Sequence, residues 1–149
     1  SNYNGGSDNN WVAVAAYTFG GVFKLSGAYA KSEYEVTTTS QVKTKGYAVY
    51  GDWQIAGPHS LKAQYGKAKS PTGTIGASAG IFSVGAASNT GAKLYGVAYA
   101  YDFSKRTQGY LAYTKMKNDA GTGSFSKGTA AASVGGSQAF YGMGLRHQF

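Results

Sequence analysis

The sequence of 149 residues has no cysteine, two prolines and only six acidic residues against 14 basic ones. Without cysteine there is no disulfide scaffold, thiolate metal site or cysteine nucleophile, and the absence suits an exported protein that does without disulfides. No run approaches the roughly 18 consecutive apolar residues of a membrane-spanning helix. Helix formers such as leucine are scarce while glycine (23) and tyrosine (13) are abundant, which argues against an all-helical fold. Residues Ser1–Asn10 are polar, with neither a basic start nor an apolar stretch. A secretory leader is therefore expected to have been removed, or the chain to begin inside a longer one.

What is present repeats with a period of two. Seven segments alternate in polarity or form apolar runs between polar, glycine-rich stretches: Trp11–Phe19, Val22–Glu33, Lys45–Gln54, Ser60–Lys69, Lys93–Phe103, Thr107–Lys117 and Gln138–Phe149. Each covers about 9–12 residues, longer than a usual soluble strand and long enough for a tilted strand to cross a bilayer. In the last segment Tyr141, Met143, Leu145, His147 and Phe149 share one face, and Phe140, Gly142, Gly144, Arg146 and Gln148 the other. The sixth segment has no clear orientation, because Tyr110 and Met116 oppose Leu111 and Tyr113.

Connection lengths alternate too. Gly20–Gly21, Ile55–His59 and Ser104–Arg106 are short, whereas Tyr34–Thr44, Ser70–Ala92 and Asn118–Ser137 are long and polar. Short turns at one end and long loops at the other are the layout of an outer-membrane barrel. Aromatic residues gather near strand ends, as in the two girdles of such a barrel, although aromatics also favour strands in general.

The chain's ending, Gly142-Met143-Gly144-Leu145-Arg146-His147-Gln148-Phe149, resembles that of Gram-negative general diffusion porins, in particular the trimeric beta-proteobacterial type. The stretch Tyr101-Asp102-Phe103-Ser104-Lys105-Arg106-Thr107 is similar to an element these porins carry at a periplasmic turn. The resemblance implies an all-β, transmembrane antiparallel up-and-down β-barrel and a place in the bacterial outer membrane. It also implies a homotrimer and a terminal strand read by the outer-membrane assembly machinery through Tyr141, Met143, Leu145 and Phe149. Ser104, Lys105, Arg106 and Thr107 become a periplasmic turn. Family barrels have about 16 strands, and this chain shows seven. Residues 1–149 are thus expected to be one domain, the carboxy-terminal portion of a porin barrel that begins in an extracellular loop. The alternative is a complete eight-stranded barrel with a first strand hidden in Ser1–Trp11, acting as an adhesin or structural anchor without a conducting pore.

Charge placement points to a channel. A charge facing lipid at the bilayer midplane of a barrel costs about 2–4 kcal/mol, so basic residues inside strands should face the lumen. Lys24, Lys62 and Arg146 lie opposite the apolar parity of their strands and are the candidate pore-lining residues. Asp52 and Asp102 share their face. A wall rich in lysine and arginine favours anions, so small anionic solutes are the expected cargo, and ordinary lumen solvation is the plainer role for each residue. Lys105 and Arg106 read as turn charges. Lys31, Lys43, Lys45, Lys67, Lys69, Lys115, Lys117 and Lys127 lie near loop ends, where they meet lipopolysaccharide phosphates or solvent.

Other classes find less support. His59 and His147 have no acid nearby, no nucleophile-elbow pattern occurs, and no His/Asp/Glu cluster has metal-ligand spacing, so neither enzyme activity nor a cofactor is expected. Nucleic-acid binding, suggested by the net charge of +8, would want aromatics and basic residues on one face. Here the aromatics and the strand-interior basic residues take opposite parities, which argues against one shared binding face, so no nucleic-acid partner is expected. A soluble β-sandwich adhesin would have shorter strands. The function expected is passive diffusion of small hydrophilic solutes and ions through a water-filled, anion-preferring channel.

Overall fold

The computed structural model describes residues 9–37, 40–73, 89–121 and 134–149, and no helix occurs among them. The strands are β1 (Asn9–Phe19), β2 (Phe23–Thr37), β3 (Ser40–Ala56), β4 (His59–Ala68), β5 (Thr72–Gly73), β6 (Ala92–Ser104), β7 (Thr107–Asn118) and β8 (Ser137–His147). Seven long strands form one antiparallel meander in the order β1-β2-β3-β4-β6-β7-β8, and the two-residue β5 pairs with β3. Among the described residues β1 and β8 each pair along one edge only, so the sheet is open. Most of Ser1–Asn10, Lys127 and the middles of the two longest polar connections lie outside the described residues.

The seven expected segments all appear as strands, with one correction to the connections. Tyr34–Thr44, expected as a long loop, is the tip of a β2–β3 hairpin whose pairing continues, with one bulge after Glu35, to Thr37 opposite Ser40. The segment is rich in the β-branched residues Val36, Thr37, Val42 and Thr44, which suit a pleated backbone. Its threonines made a strand read as a polar loop. Connection lengths segregate in part: residues 20–22, 57–58 and 105–106 join strands at one end, while the other end has the long connections 69–91 and 119–136 and the two-residue connection 38–39.

Turn chemistry explains the short end. In Phe19-Gly20-Gly21-Val22 the Val22 amide donates to the Phe19 carbonyl at 3.1 Å. Both central glycines have positive φ, 54° and 73°, the combination a two-residue hairpin turn needs and side chains resist. At the β6–β7 turn the Ser104 Oγ accepts from the amides of Arg106 (3.2 Å) and Thr107 (3.1 Å). That serine closes the turn locally, as short hydroxyl side chains do.

Register assigns every strand residue to a face, since directly opposed residues lie on the same side. Leu61, Tyr99, Leu111 and Met143 stand in line across β4, β6, β7 and β8, as do Ala63, Val97, Tyr113 and Tyr141. These belong to an apolar face that Leu25, Val49 and Trp53 continue on β2 and β3. The pairing with β8 orients β7: Leu111 and Tyr113 are on the apolar face, Tyr110 and Met116 on the other. Little covers this apolar face. Tyr141, Met143 and Leu145 are 83%, 82% and 73% exposed, while among the described residues Val42, Ala92 and Ala100 are the buried apolar ones. So large an uncovered apolar surface is untenable in water and suits hydrocarbon.

Two aromatic rows border the apolar face. One runs through Trp11, Tyr29, Tyr47, Tyr65 and Tyr95 to Tyr113 and Tyr141, with ring centroids 5.3 Å apart for Trp11–Tyr29 and 5.2 Å for Tyr65–Tyr95. It drifts along the register from strand to strand, as tilted strands require. The other, at the short-turn end, includes Tyr17, Phe19, Phe23, Trp53, His59, Tyr101, Phe103, His147 and Phe149.

Candidate functional site

The opposite face carries the candidate site. Lys24 on β2, Asp52 on β3 and Lys62 on β4 are directly opposed in one row. Lys62 Nζ donates to Asp52 Oδ2. Across β6, β7 and β8 the row continues as Ala98, Ala112 and Gly142, small residues that leave the surface beside Lys62 open. Ser60, Gln54, Tyr50, Gln64 and Thr18 add polar groups nearby on the same face. Apolar side chains interrupt it: Val12 and Val14 on β1, and Leu94 opposite Met116.

Arg146 does not join this row. It lies four residues beyond Gly142 toward the short-turn end, opposite Gln108, whose Nε2 donates to Asp102 Oδ1 at 2.6 Å. There an open concavity of about 440 Å³ is lined by Pro58, Asp102, Lys105, Arg106, Gln108 and Arg146. The structure therefore brings Lys24 and Lys62 together around Asp52, and Arg146 with Lys105 and Arg106 around Asp102. Within the strands this face carries three basic residues, Lys24, Lys62 and Arg146, and two acidic ones, Asp52 and Asp102. Sequence reasoning missed the mouth cluster by treating the turn charges separately. Its signal was available: the tight turn after Asp102 must bring 105 and 106 back beside the strand end.

The terminal strand is tied to that turn. Thr107 Oγ1 and His147 Nδ1 are 2.9 Å apart, and the Gln148 amide donates to the Arg106 carbonyl at 2.9 Å. The two sequence elements that carried the resemblance are thus neighbours in space. Tyr141, Met143, Leu145 and Phe149 all extend from the apolar side, with Phe149 fully exposed. Both histidines lie in the aromatic row of that side, and His59 Nδ1 pairs with the Tyr99 hydroxyl. No group of His, Asp or Glu able to hold a metal occurs among the described residues.

The layout is that of an outer-membrane wall: apolar band, two aromatic borders, polar reverse face, and both long connections at one end. A family model described as Gram-negative porin matches residues 1–121. The chain belongs to the Gram-negative porins. The porin sheet is also similar to a solved structure, an anion-selective porin from Comamonas acidovorans, with a TM-score of 0.70 and 24% identity. That match covers 95% of this chain and 39% of the other, so the chain spans about two fifths of that protein's length. No curated protein sequence matches it. The porin is an all-β outer-membrane protein, and its broad apolar face suits contact with lipid.

Proposed function

We propose that these residues form part of the wall of a water-filled channel for passive diffusion of small hydrophilic solutes and ions, with a mild preference for anions. An open sheet edge is untenable in lipid, where each unpaired backbone group costs several kcal/mol. The chain therefore works within a closed barrel, as the carboxy-terminal portion of one with about 16 strands, assembled as a homotrimer. The observation that carries the reading is the segregation of strand charges. Lys24, Asp52, Lys62, Asp102 and Arg146 all stand on the face opposite the apolar band. Arg146, Lys105 and Arg106 make the short-turn mouth positive, while Asp52 offsets Lys62, so this part of the wall favours anions only modestly. Pore width and wall charge suffice for such transport, with no covalent chemistry and no cofactor. Tyr141, Met143, Leu145 and Phe149 serve as the signal by which the assembly machinery takes up the terminal strand.

Conductance of the full-length protein in a planar bilayer under a salt gradient tests this. Steps closing in threes, with a reversal potential on the anion side, support a trimeric anion-preferring pore. Folded protein that gives no steps would sink the pore in favour of an adhesin or anchor.

A further inference from the structure

The register that places Leu111 on the apolar face turns its neighbour Tyr110 to the polar one, opposite Gly144 of β8. A Cβ added at Gly144 would meet the Tyr110 Oη at 2.5 Å and its Cζ at 2.7 Å. The end of the phenol ring therefore fills the place of the missing side chain and lies across β8. Tyr110 is 42% exposed, so a ring backed by the sheet still presents surface to solvent. Toward the long connections it is bordered by the small row Ala98, Ala112 and Gly142. Toward the short-turn end the next opposed pair on the same face is Gln108 and Arg146, roughly 7 Å along the strands. Arg106 and Arg146 are the only arginines in the sequence, and both line the 440 Å³ concavity together with Lys105. Among the described residues no ion pair joins any of these three to a carboxylate. The acid beside them, Asp102, instead accepts from Gln108 Nε2 at 2.6 Å.

We infer that Tyr110 and Arg146 form a solute site for a planar aromatic carboxylate, its ring stacked on Tyr110 and its carboxylate taken by Arg146. The two side chains are one strand repeat apart on one face. A carboxyl group carried on the ring, or one carbon from it, reaches the guanidinium while the ring stays on the tyrosine. Guanidinium and carboxylate pair bidentately, and offset stacking of the two rings separates this solute from other anions. A small inorganic anion leaves the Tyr110 ring uncovered. A second carboxylate would be stranded over Ala98, Ala112 and Gly142, which offer it no donor side chain. Lys105 and Arg106 draw the anion into the concavity, and Asp102 disfavours a second negative group there. The inference deepens the channel reading by naming a class of solute, and it rests on the polar face lining the water-filled path.

The test uses full-length protein in planar bilayers carrying a potassium chloride current, to which benzoate, cyclohexanecarboxylate or acetate is added. Benzoate and cyclohexanecarboxylate are similar in size and both ionised at neutral pH, but only benzoate has a flat π-face. Benzoate should lower the current saturably, with half of the effect at a concentration about two- to tenfold below that for cyclohexanecarboxylate, the range one aromatic pair contributes. Acetate, which has no ring, should need more than either. Tyr110→Leu should bring benzoate and cyclohexanecarboxylate together, Tyr110→Phe should keep them apart, and Arg146→Gln should weaken both. Each value is taken relative to the variant's own current, so a changed conductance does not enter. Benzoate and cyclohexanecarboxylate acting alike on the parent protein, a comparison that needs no variant to fold, overturns the inference. So does a difference that survives Tyr110→Leu. No current in potassium chloride removes the channel and the inference with it, whereas current without discrimination removes the inference alone.

Discussion

Lys62 and Asp52 form an ion pair across β3 and β4, and Lys24 stands opposite the same aspartate on β2. One carboxylate is thus set between two ammonium groups in a single cross-strand row. Asp52→Asn should leave both lysines uncompensated and raise the anion-to-cation permeability ratio. Lys62→Gln should lower it, and the double variant should return close to the parent, because the removed charges cancel. Reversal potentials in a salt gradient measure all three. At the roughly 10 Å screening length of 0.1 M salt the effects shrink as salt rises. If none of the three moves the potential, this row is not part of the selective wall.

The strands were readable because the apolar period of two is strong wherever one face meets lipid, as in Tyr141, Met143 and Leu145. The orientation of β7 was not, since Tyr110 and Leu111 are both large and apolar in part. The register of Leu111 with Tyr99 and Met143 decides it. The pairing of Lys62 with Asp52 needs that same register, which ten residues of separation do not reveal. Lys24, Lys62 and Arg146 share the face opposite the apolar band, but parity carries no height. Arg146 lies at the mouth rather than beside the lysines. Lys93 went unremarked at a strand start although the Lys-x-Tyr spacing marks its face, and Val36 to Val42 was hidden among threonines.

Glu33 lies beyond the aromatic row nearer the long connections, where Lys31 reaches it at 2.7 Å and Lys43 at 3.4 Å. The hydrogen bond from Lys31 holds its carboxyl below the ordinary value of 4.5. Any support the cluster lends the hairpin is therefore full above that ordinary value and is lost as pH falls through the lowered one. An NMR titration of the Glu33 carboxyl should give a midpoint under 4.5, and Lys31→Gln should move it upward. A parent midpoint at or above 4.5 would remove the pairing.

Thr107 Oγ1 and His147 Nδ1 join the β6–β7 turn to the last strand. Thr107→Val removes one side-chain hydrogen bond and should cost about 0.5–1.5 kcal/mol in urea unfolding. Phe149→Ala leaves that bond in place and should lower the amount of folded protein reaching the outer membrane, with unfolding of the assembled fraction little changed. Heat-modifiable migration of membrane fractions separates the two effects. Normal assembly of Phe149→Ala would dissociate the terminal aromatic from uptake of the strand.

Leu111 and Ala112 are adjacent on β7 yet belong to opposite worlds. Leu111 is 59% exposed on the apolar face between the two aromatic rows, in line with Tyr99 and Met143. Ala112 is on the opposite, polar face between Ala98 and Gly142, the side proposed to line the lumen, and a Cβ added at Gly142 meets nothing within 4 Å. An arginine at 111 would sit near the midplane of the hydrocarbon, where it costs about 2–4 kcal/mol. The same arginine at 112 has water and open space before it. Leu111→Arg should therefore lower the urea midpoint of the folded protein markedly, with conductance of the surviving fraction unchanged. Ala112→Arg should leave the midpoint near the parent value, reduce conductance by narrowing the wall, and shift the reversal potential toward anions. Equal destabilisation by both variants would contradict the face assignment of β7, and with it the register that orders every other strand.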